Sequence, residues 1–348
     1  MRRKQPTTFL EDRNNELDPL LQKKINELGL RLEGTVLEKL VLLLEKECVA
    51  AGITKLKPVC YLTEEWGVPE GDPIIGIPYY LADERLKKLE EDVVEGETEE
   101  EILSYLRHEM GHVVNYAYRL YTTDEWAKLF GPPSRPYVEE YQPEPFSRDF
   151  VRHIAGWYAQ KHPDEDFAET FAVWLTPGGD WRTRYAGTGA EKKLDYVDRV
   201  MKRLGGQEPD VKTGEADVSV EGITYTVEEH LKRFRDPAVD VPPYFDGDLR
   251  DLFGKSSAKD PDREAASAFL KRHRRLMQKR IAHWTGVREG VIRSLIDHLA
   301  QRSDVLGIHL DKKKGEDRVL VDVMAYMTTL GMNYLYKGAF HPSAGVKR

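Results

Sequence analysis

Apolar residues recur every three or four positions early in the chain, which is the spacing of a helix with one buried face. Gly52 is expected to end this helix, because glycine favours the position just beyond a helix C-terminus. A shorter helix is predicted at about Pro19–Leu28, with Asp18 as its cap. The buried face of the longer helix, within residues 34–51, consists of Val36, Leu40, Leu43, Leu44 and Cys48.

Two short runs rich in Ile, Val and Tyr follow, Val59–Leu62 and Ile74–Leu81. Gly and Pro residues bound both runs, which is typical of β-strands. Pro78 has no backbone N–H to donate, so the second run is predicted to be an edge strand. Such a strand either accepts an extended peptide along its free edge or is a plain structural strand, and the sequence leaves both open.

The most regular helical pattern runs from about Glu99 to Tyr121. Thr98 and Glu101 have the spacing of a capping box, in which each side chain binds the backbone of the other residue. The buried face that follows keeps the helical spacing at Ile102, Leu106, Met110, Val113 and Ala117. A long, well-capped helix is therefore predicted here.

The remaining chain is predicted to be mainly helical. A Pro- and Tyr-rich loop covers about residues 131–145, and the polar stretch 206–222 has the composition of a linker. A small hairpin is expected within Ile308–Val321, around Lys312–Gly315. Helices are predicted at about Asp149–Gln160, Pro163–Leu175, Arg263–Thr285, Glu289–Arg302 and Val321–Tyr336.

The charge balance argues against a general polyanion binder. The 348 residues include 60 acidic and 52 basic side chains, for a net charge of −8. A basic helix face at residues 271–280 is therefore interpreted as a solvated face, balanced by acidic segments elsewhere, rather than as a nucleic-acid site. Cys48 and Cys60 are the two cysteines, and no apolar leader follows the basic N-terminus. Reduced thiols and a cytoplasmic location are expected.

The candidate chemistry lies in the long helix, as His108-Glu109-Met110-Gly111-His112. Residues four apart lie one turn apart on the same helix face, so the imidazoles of His108 and His112 can reach one metal ion. Glu109 lies at the edge of that face, where it can take a proton from water activated by Zn²⁺. The pattern predicts a zinc site with Glu109 as general base.

A catalytic zinc site needs a third protein ligand and an open fourth position. Glu165 and Glu169 are again four apart, in a predicted helix. Glu165 is the candidate ligand, and Glu169 is the candidate acceptor of a hydrogen bond from a ligating histidine. Asp164 and Asp166 are interpreted as complements of the helix dipole. His153 and His162 remain rival ligands.

The motif followed by a glutamate on a second helix resembles the gluzincin zinc metallopeptidases. The run Glu165-Asp-Phe-Ala-Glu-Thr-Phe is similar to the bacterial "putative zinc-binding metallopeptidase" family and to the catalytic domain of anthrax lethal factor, over about residues 98–176. The gluzincin pattern of thermolysin has Asn where this chain has Asp164, so the resemblance is to the lethal-factor-like branch. The resemblance implies that Glu165 is the metal ligand. It also implies that Tyr158, seven residues earlier, faces the metal and stabilises an oxyanion; a packing role beside Trp157 is the alternative.

These features predict an α+β fold. A zincin-like catalytic domain, with a small mixed sheet, an edge strand, the HExxH helix and a second ligand helix, precedes a mainly α-helical C-terminal domain. The expected parts are a polar arm (1–30), the metallopeptidase domain (31–205), a linker (206–222) and the helical domain (223–348). The expected function is hydrolysis of a peptide or protein amide with Zn²⁺, without a membrane or nucleic-acid partner. A catalytically silent zincin-fold scaffold or partner-binding protein is the alternative.

Overall fold

The computed structural model of the protein describes residues 19–93, 97–138, 141–233, 245–254, 263–311 and 313–340. It has a mixed α/β fold that is mostly helical. Short 3-10 helices lie at Ile25–Glu27, Tyr79–Ala82, Leu120–Thr122, Tyr158–Gln160 and Val220–Gly222. The α-helices of the first part are α1 (Val36–Ala50), α2 (Glu84–Val93), α3 (Glu99–Ala117), α4 (Asp124–Phe130), α5 (Pro163–Leu175), α6 (Trp181–Arg184), α7 (Gly189–Leu204) and α8 (Val227–Arg233).

The later part of the chain is helical as predicted. Its helices are α9 (Asp246–Phe253), α10 (Ala266–Arg272), α11 (Arg274–Thr285), α12 (Glu289–Val305) and α13 (Glu316–Lys337). Among the described helices, none combines the length and the apolar character that crossing a membrane requires.

Two strands, β1 (Cys60–Thr63) and β2 (Ile75–Pro78), form a parallel pair with Cys60 opposite Ile75. The predicted mixed sheet is thus a two-stranded parallel sheet with one antiparallel bridge, between Gly67 and Gly76. In that bridge the Gly76 N–H donates to the Gly67 carbonyl over 2.7 Å. Since Pro78 has no N–H, the outer edge of β2 offers little to an incoming peptide. The sequence left two roles open for this strand, accepting an extended peptide or serving as a plain structural strand. The structure favours the second.

Buried apolar side chains form two large clusters. One extends along the chain from Leu20 to Leu231 and contains the buried faces of α3 and α5. The other extends from Phe245 to Phe340 and is built from the later helices. Ile25 and Leu231 belong to the same cluster although they lie near opposite ends of the first part. The division into residues 1–30, 31–205, 206–222 and 223–348 stays a prediction.

The helix expected at Pro19–Leu28 is wrong, because the backbone there bonds to a distant segment. The N–H groups of Ile25 and Asn26 donate to the carbonyls of Tyr225 and Ile223, and the Val227 N–H donates to the Lys23 carbonyl. Only a 3-10 turn, Ile25–Glu27, remains. Asp18, the expected cap, lies outside the described residues.

The prediction of a helix at Asp149–Gln160 is also wrong. The segment contains only the 3-10 turn Tyr158–Gln160. The N–H groups of His153 and Ile154 donate to the Glu169 carboxylate at 3.2 and 2.9 Å instead of to helix carbonyls. Trp157 has a φ of 57°, in the left-handed region that a regular helix does not use.

Two expectations for the C-terminal part need correction. The single helix at Arg263–Thr285 is two helices that meet at His273. In place of the hairpin expected within Ile308–Val321, α13 begins directly after Gly315, whose φ is 74°. Lys312 lies outside the described residues. The sequence pattern also left α7 unassigned.

The basic face at residues 271–280 is largely exposed, as expected, and two of its side chains contact the first part of the protein. Arg275 and Lys279 of α11 form ion pairs with Glu101, in the capping box of α3, at 2.8 and 3.3 Å. Arg272 and His273 pair with Glu316. The charge of this face is balanced by named acidic partners, as expected, but it joins two helical regions of the chain.

The position of α3 against α5 depends on Gly111. A Cβ atom added to Gly111 would lie 2.7 Å from the Ala168 Cα and 2.9 Å from the Ala168 carbonyl oxygen. These are backbone atoms inside a helix, so they cannot move without separating the helices. The missing side chain therefore allows the two motif-bearing helices to touch.

We predict that Gly111→Ala lowers the free energy of unfolding by about 1–2 kcal/mol. Overpacking costs about 1–3 kcal/mol, whereas replacing glycine within a helix returns at most about 1 kcal/mol. Urea unfolding followed by circular dichroism measures the change. Gly206→Ala is the control, because an added Cβ there meets nothing within 4 Å. Equal stability of the two variants contradicts the close contact.

We predict that both cysteines react slowly with a thiol reagent in the folded protein at pH 8. Burial raises the pKa of the Cys48 and Cys60 thiols to about 12, and the thiolate is the reactive form. Titration with a disulfide reagent should give fast reaction of two thiols only after unfolding in urea. Fast reaction of either thiol before unfolding is the contrary result.

Candidate metal centre

The residues of the predicted centre come from two helices. His108, Glu109 and His112 lie on α3, whereas Glu165 and Glu169 lie on α5, and all five side chains are buried. The capping box of α3 forms as predicted: Glu101 donates its N–H to the Thr98 side chain and accepts the Thr98 N–H. Local sequence therefore fixes each helix, and their packing brings the two motifs together.

Three atoms form the centre of the site. His108 Nε2 lies 3.0 Å from Glu165 Oε2, His112 Nε2 lies 3.3 Å from the same oxygen, and the two nitrogens are 3.2 Å apart. Tetrahedral zinc with bonds of about 2.0–2.1 Å separates its ligands by about 3.3 Å. The observed triangle therefore fits one face of a zinc coordination tetrahedron. His108, His112 and Glu165 could together hold a metal ion.

Glu169 orients the first histidine. Its Oε1 lies 2.8 Å from His108 Nδ1, and its Oε2 accepts the N–H groups of His153 and Ile154. A carboxylate only accepts hydrogen bonds, so Nδ1 of His108 carries a proton; in the neutral ring that binds a metal ion, Nε2 then keeps the lone pair. The hydrogen bond predicted for Glu169 is present.

Asp164 orients the second histidine, a role that the sequence analysis missed. Its Oδ2 lies 3.2 Å from His112 Nδ1 and 2.5 Å from the Tyr116 hydroxyl, while its Oδ1 accepts from Asn115 at 2.6 Å. The helix-dipole interpretation of Asp164 is therefore incomplete. Asp166 is a similar case, because it forms a buried ion pair with Lys193 at 2.6 Å.

The rival histidine ligands have other partners. His162 caps α5, since its Nδ1 accepts the Asp164 N–H and its Nε2 donates to the Arg135 carbonyl at 2.7 Å. His153 donates from Nε2 to the Ser104 carbonyl at 2.9 Å, and burial lowers its pKa. Among the described residues, the group placed to hold a metal ion is His108, His112 and Glu165, without His153 or His162.

The electrostatics of the cluster favour a positive charge. Burial opposes ionisation of Glu165, but hydrogen bonds from His108 and His112 outweigh it and hold its pKa well below the usual value. Burial likewise opposes a charge on His108, yet Glu165 and Glu169 raise its pKa to about 9. The buried carboxylates thus draw protons onto the histidines, at the place where a cation would satisfy the same charges.

Glu109 and Tyr158 lie beside the triangle. Both line a pocket of about 520 Å³ that also contains His108, His112 and Glu165. Burial raises the pKa of Glu109, and the two histidines oppose that shift. The Tyr158 hydroxyl lies 3.3 Å from Glu165 Oε1.

Tyr137 is a further residue of the centre that the sequence analysis did not identify. Its hydroxyl donates to Glu165 Oε1 over 2.6 Å and lies 3.2 Å from the Tyr158 hydroxyl. The sequence signal was only its place in the Pro- and Tyr-rich loop, because no fixed spacing relates Tyr137 to Glu165.

Comparisons with known proteins add one match. No curated protein and no solved structure matches the chain, and the likeness to anthrax lethal factor stays a prediction. A family model described as "Putative zinc-binding metallo-peptidase" matches residues 75–198. This range contains α3, α5 and every residue of the candidate metal centre. Over residues 75–198 the chain is therefore similar to the "Putative zinc-binding metallo-peptidase" family that its motifs resemble.

Proposed function

We propose that the protein is a zinc-dependent hydrolase of peptide bonds, with His108, His112 and Glu165 as ligands and Glu109 as general base. The triangle of ligand atoms at 3.0 to 3.3 Å carries this proposal, because it lies in a pocket that also contains a glutamate. Two imidazoles and one carboxylate form a known catalytic zinc set that leaves a fourth position open. The general base favours catalysis over a silent scaffold, which needs none.

A bound Zn²⁺ supplies a Lewis acid that polarises the substrate carbonyl and lowers the pKa of water. The protein residues then handle the protons. Glu109 accepts a proton from the attacking water and delivers it to the leaving amine. Burial favours the protonated form of Glu109 by raising its pKa, which brings a carboxyl group closer to the range useful for a neutral-pH base.

Tyr158 is proposed to stabilise the oxyanion by donating a hydrogen bond from its hydroxyl. Burial, followed by the charge of Glu165, raises the pKa of Tyr158, so the phenol keeps its proton and remains a donor. Its 3.3 Å contact with Glu165 Oε1 is long for an O–H donor. The hydroxyl can therefore turn towards a substrate at little cost.

The proposed substrate is a peptide or a protein. The pocket is lined on other sides by aromatic side chains, namely Trp66, Tyr116 and Tyr121, which supply apolar area for side chains beside the scissile bond. The pairing of the basic face with acidic partners supports a function without nucleic acid. A cytoplasmic location, with reduced thiols, completes the proposal.

We predict that the purified protein binds about one Zn²⁺ per chain and that Glu165→Ala loses it. Removing one of three protein ligands leaves two imidazoles, which hold zinc far more weakly. Elemental analysis after dialysis measures the ratio. Glu100→Ala is the control, because Glu100 is exposed in the first turn of α3. A metal-free wild type refutes the zinc proposal, and full zinc in Glu165→Ala refutes the assignment of Glu165.

We predict that Glu109→Gln keeps its zinc but cleaves a peptide library at least about 10²-fold more slowly, because glutamine cannot accept the proton. Tyr158→Phe should lower kcat by about 10²-fold and leave KM near the wild-type value, since its hydrogen bond belongs to the transition state. Steady-state cleavage of a fluorogenic peptide selected from the library measures both. Wild-type rates in Glu109→Gln are incompatible with its role as base.

A further inference from the structure

The two oxygens of the Glu165 carboxylate have different surroundings. Oε2 faces the histidine nitrogens at 3.0 and 3.3 Å. Oε1 faces two phenols, with the Tyr137 hydroxyl at 2.6 Å and the Tyr158 hydroxyl at 3.3 Å. The carboxylate is thus divided between a side that meets the ligand triangle and a side that meets tyrosines.

The two phenols do not contribute equally. Charge-assisted O–H···O⁻ bonds have lengths of about 2.5–2.7 Å and are the stronger class. The contact of Tyr137 falls in that range, whereas that of Tyr158 exceeds the usual upper limit of about 3.0 Å for an O–H donor. Tyr137 therefore supplies the main hydrogen bond to Oε1.

The loop that carries Tyr137 is attached to the helix of Glu165. The Arg135 N–H closes a turn onto Pro132, and the Arg135 carbonyl accepts the Nε2 proton of His162, the cap of α5. The Tyr137 ring packs on the His162 ring with centroids 5.3 Å apart. Lys161 Nζ lies 4.4 Å from the centroid of the Tyr137 ring. These contacts fix the phenol relative to the first turn of α5.

We propose that Tyr137 is a positioning residue that reserves Oε1 of Glu165, so that this glutamate offers only Oε2 to the metal. A carboxylate without such a donor is free to bind a cation through both oxygens, which would occupy part of the open coordination side. The inference rests on the proposed zinc site.

The same arrangement releases Tyr158 for catalysis. When the Tyr158 hydroxyl turns to an oxyanion, Oε1 loses only its weaker donor and stays hydrogen-bonded to Tyr137. A buried carboxylate oxygen left without any donor would be costly. Tyr137 thus holds the ligand glutamate in one orientation through the change at Tyr158.

The test compares Tyr137→Phe with Tyr141→Phe. Tyr141 lies in the same Pro- and Tyr-rich loop, but its hydroxyl donates to the Gly156 carbonyl rather than to Glu165. Zinc affinity is measured by competition with a chromophoric chelator, and coordination by the visible absorption of the Co²⁺-substituted protein. Circular dichroism of the metal-free proteins checks that each variant is folded.

Tyr137→Phe should bind zinc about 10- to 100-fold more weakly, the usual effect of removing a partner of a ligand. Its Co²⁺ spectrum should weaken, because binding through both oxygens raises the coordination number. Tyr141→Phe should match the wild type in both measurements, and Tyr158→Phe should keep zinc affinity within about threefold, as its bond is long.

Tyr137→Phe with wild-type zinc affinity and an unchanged Co²⁺ spectrum overturns this inference and leaves the proposed function intact. A wild type that binds neither metal overturns both. If Tyr137→Phe does not fold, 4-aminophenylalanine at position 137 keeps a ring with a donor at the same place and should retain more affinity than 4-methylphenylalanine there; equal affinities of these two also overturn the inference.

Discussion

The backbone contact between α3 and α5 at Gly111 and Ala168 is the constraint on which the site depends. An ion held by residues of two helices requires the helices to approach until an imidazole from one lies about 3 Å from a carboxylate of the other. Gly111 permits this approach because a Cβ there would lie 2.7 Å from the Ala168 Cα. Gly111 directly precedes His112, so the residue that permits the close packing lies within the motif that supplies the candidate ligands.

Close packing also buries a dense group of charges, and the structure satisfies them in pairs. Each histidine of the triangle has its own carboxylate on α5: Glu169 for His108 and Asp164 for His112. These carboxylates fix the tautomer of each ring and leave Nε2 for the ion. Asp166 faces away from the triangle and is neutralised by Lys193. The two helices thus combine metal ligation with buried charges that have partners, although desolvation still raises the pKa of Asp166 to about 7.

The second helical part of the chain is joined to this centre through the N-terminus of α3. Arg275 and Lys279 bind Glu101, which also closes the capping box that starts the helix of the motif. On another side, Gly286 approaches Trp157, so that an added Cβ would lie 2.6 Å from that ring. Tyr158 is the next residue along the chain. The later helices therefore support both the start of α3 and the turn that carries the proposed oxyanion donor.

The sequence by itself determined the elements whose signals are local. The capping box at Thr98, the start of α5 at Pro163, and the four-residue spacing of His108 and His112 require only neighbours along the chain. The structure contains all of them. The same locality explains the errors. Pro19–Leu28 and Asp149–Gln160 have helical composition, but distant partners, the backbone near Tyr225 and the Glu169 carboxylate, take their N–H groups.

Only the tertiary structure decided which polar groups meet across the site. Asp164, Tyr137 and Lys193 have no spacing that relates them to their partners, because each contact joins segments that are about 30 to 50 residues apart and depends on the angle at which two elements pack. Helix periodicity predicts which side of a helix a residue occupies. It contains no information on what lies opposite, and that depends on the fold as a whole.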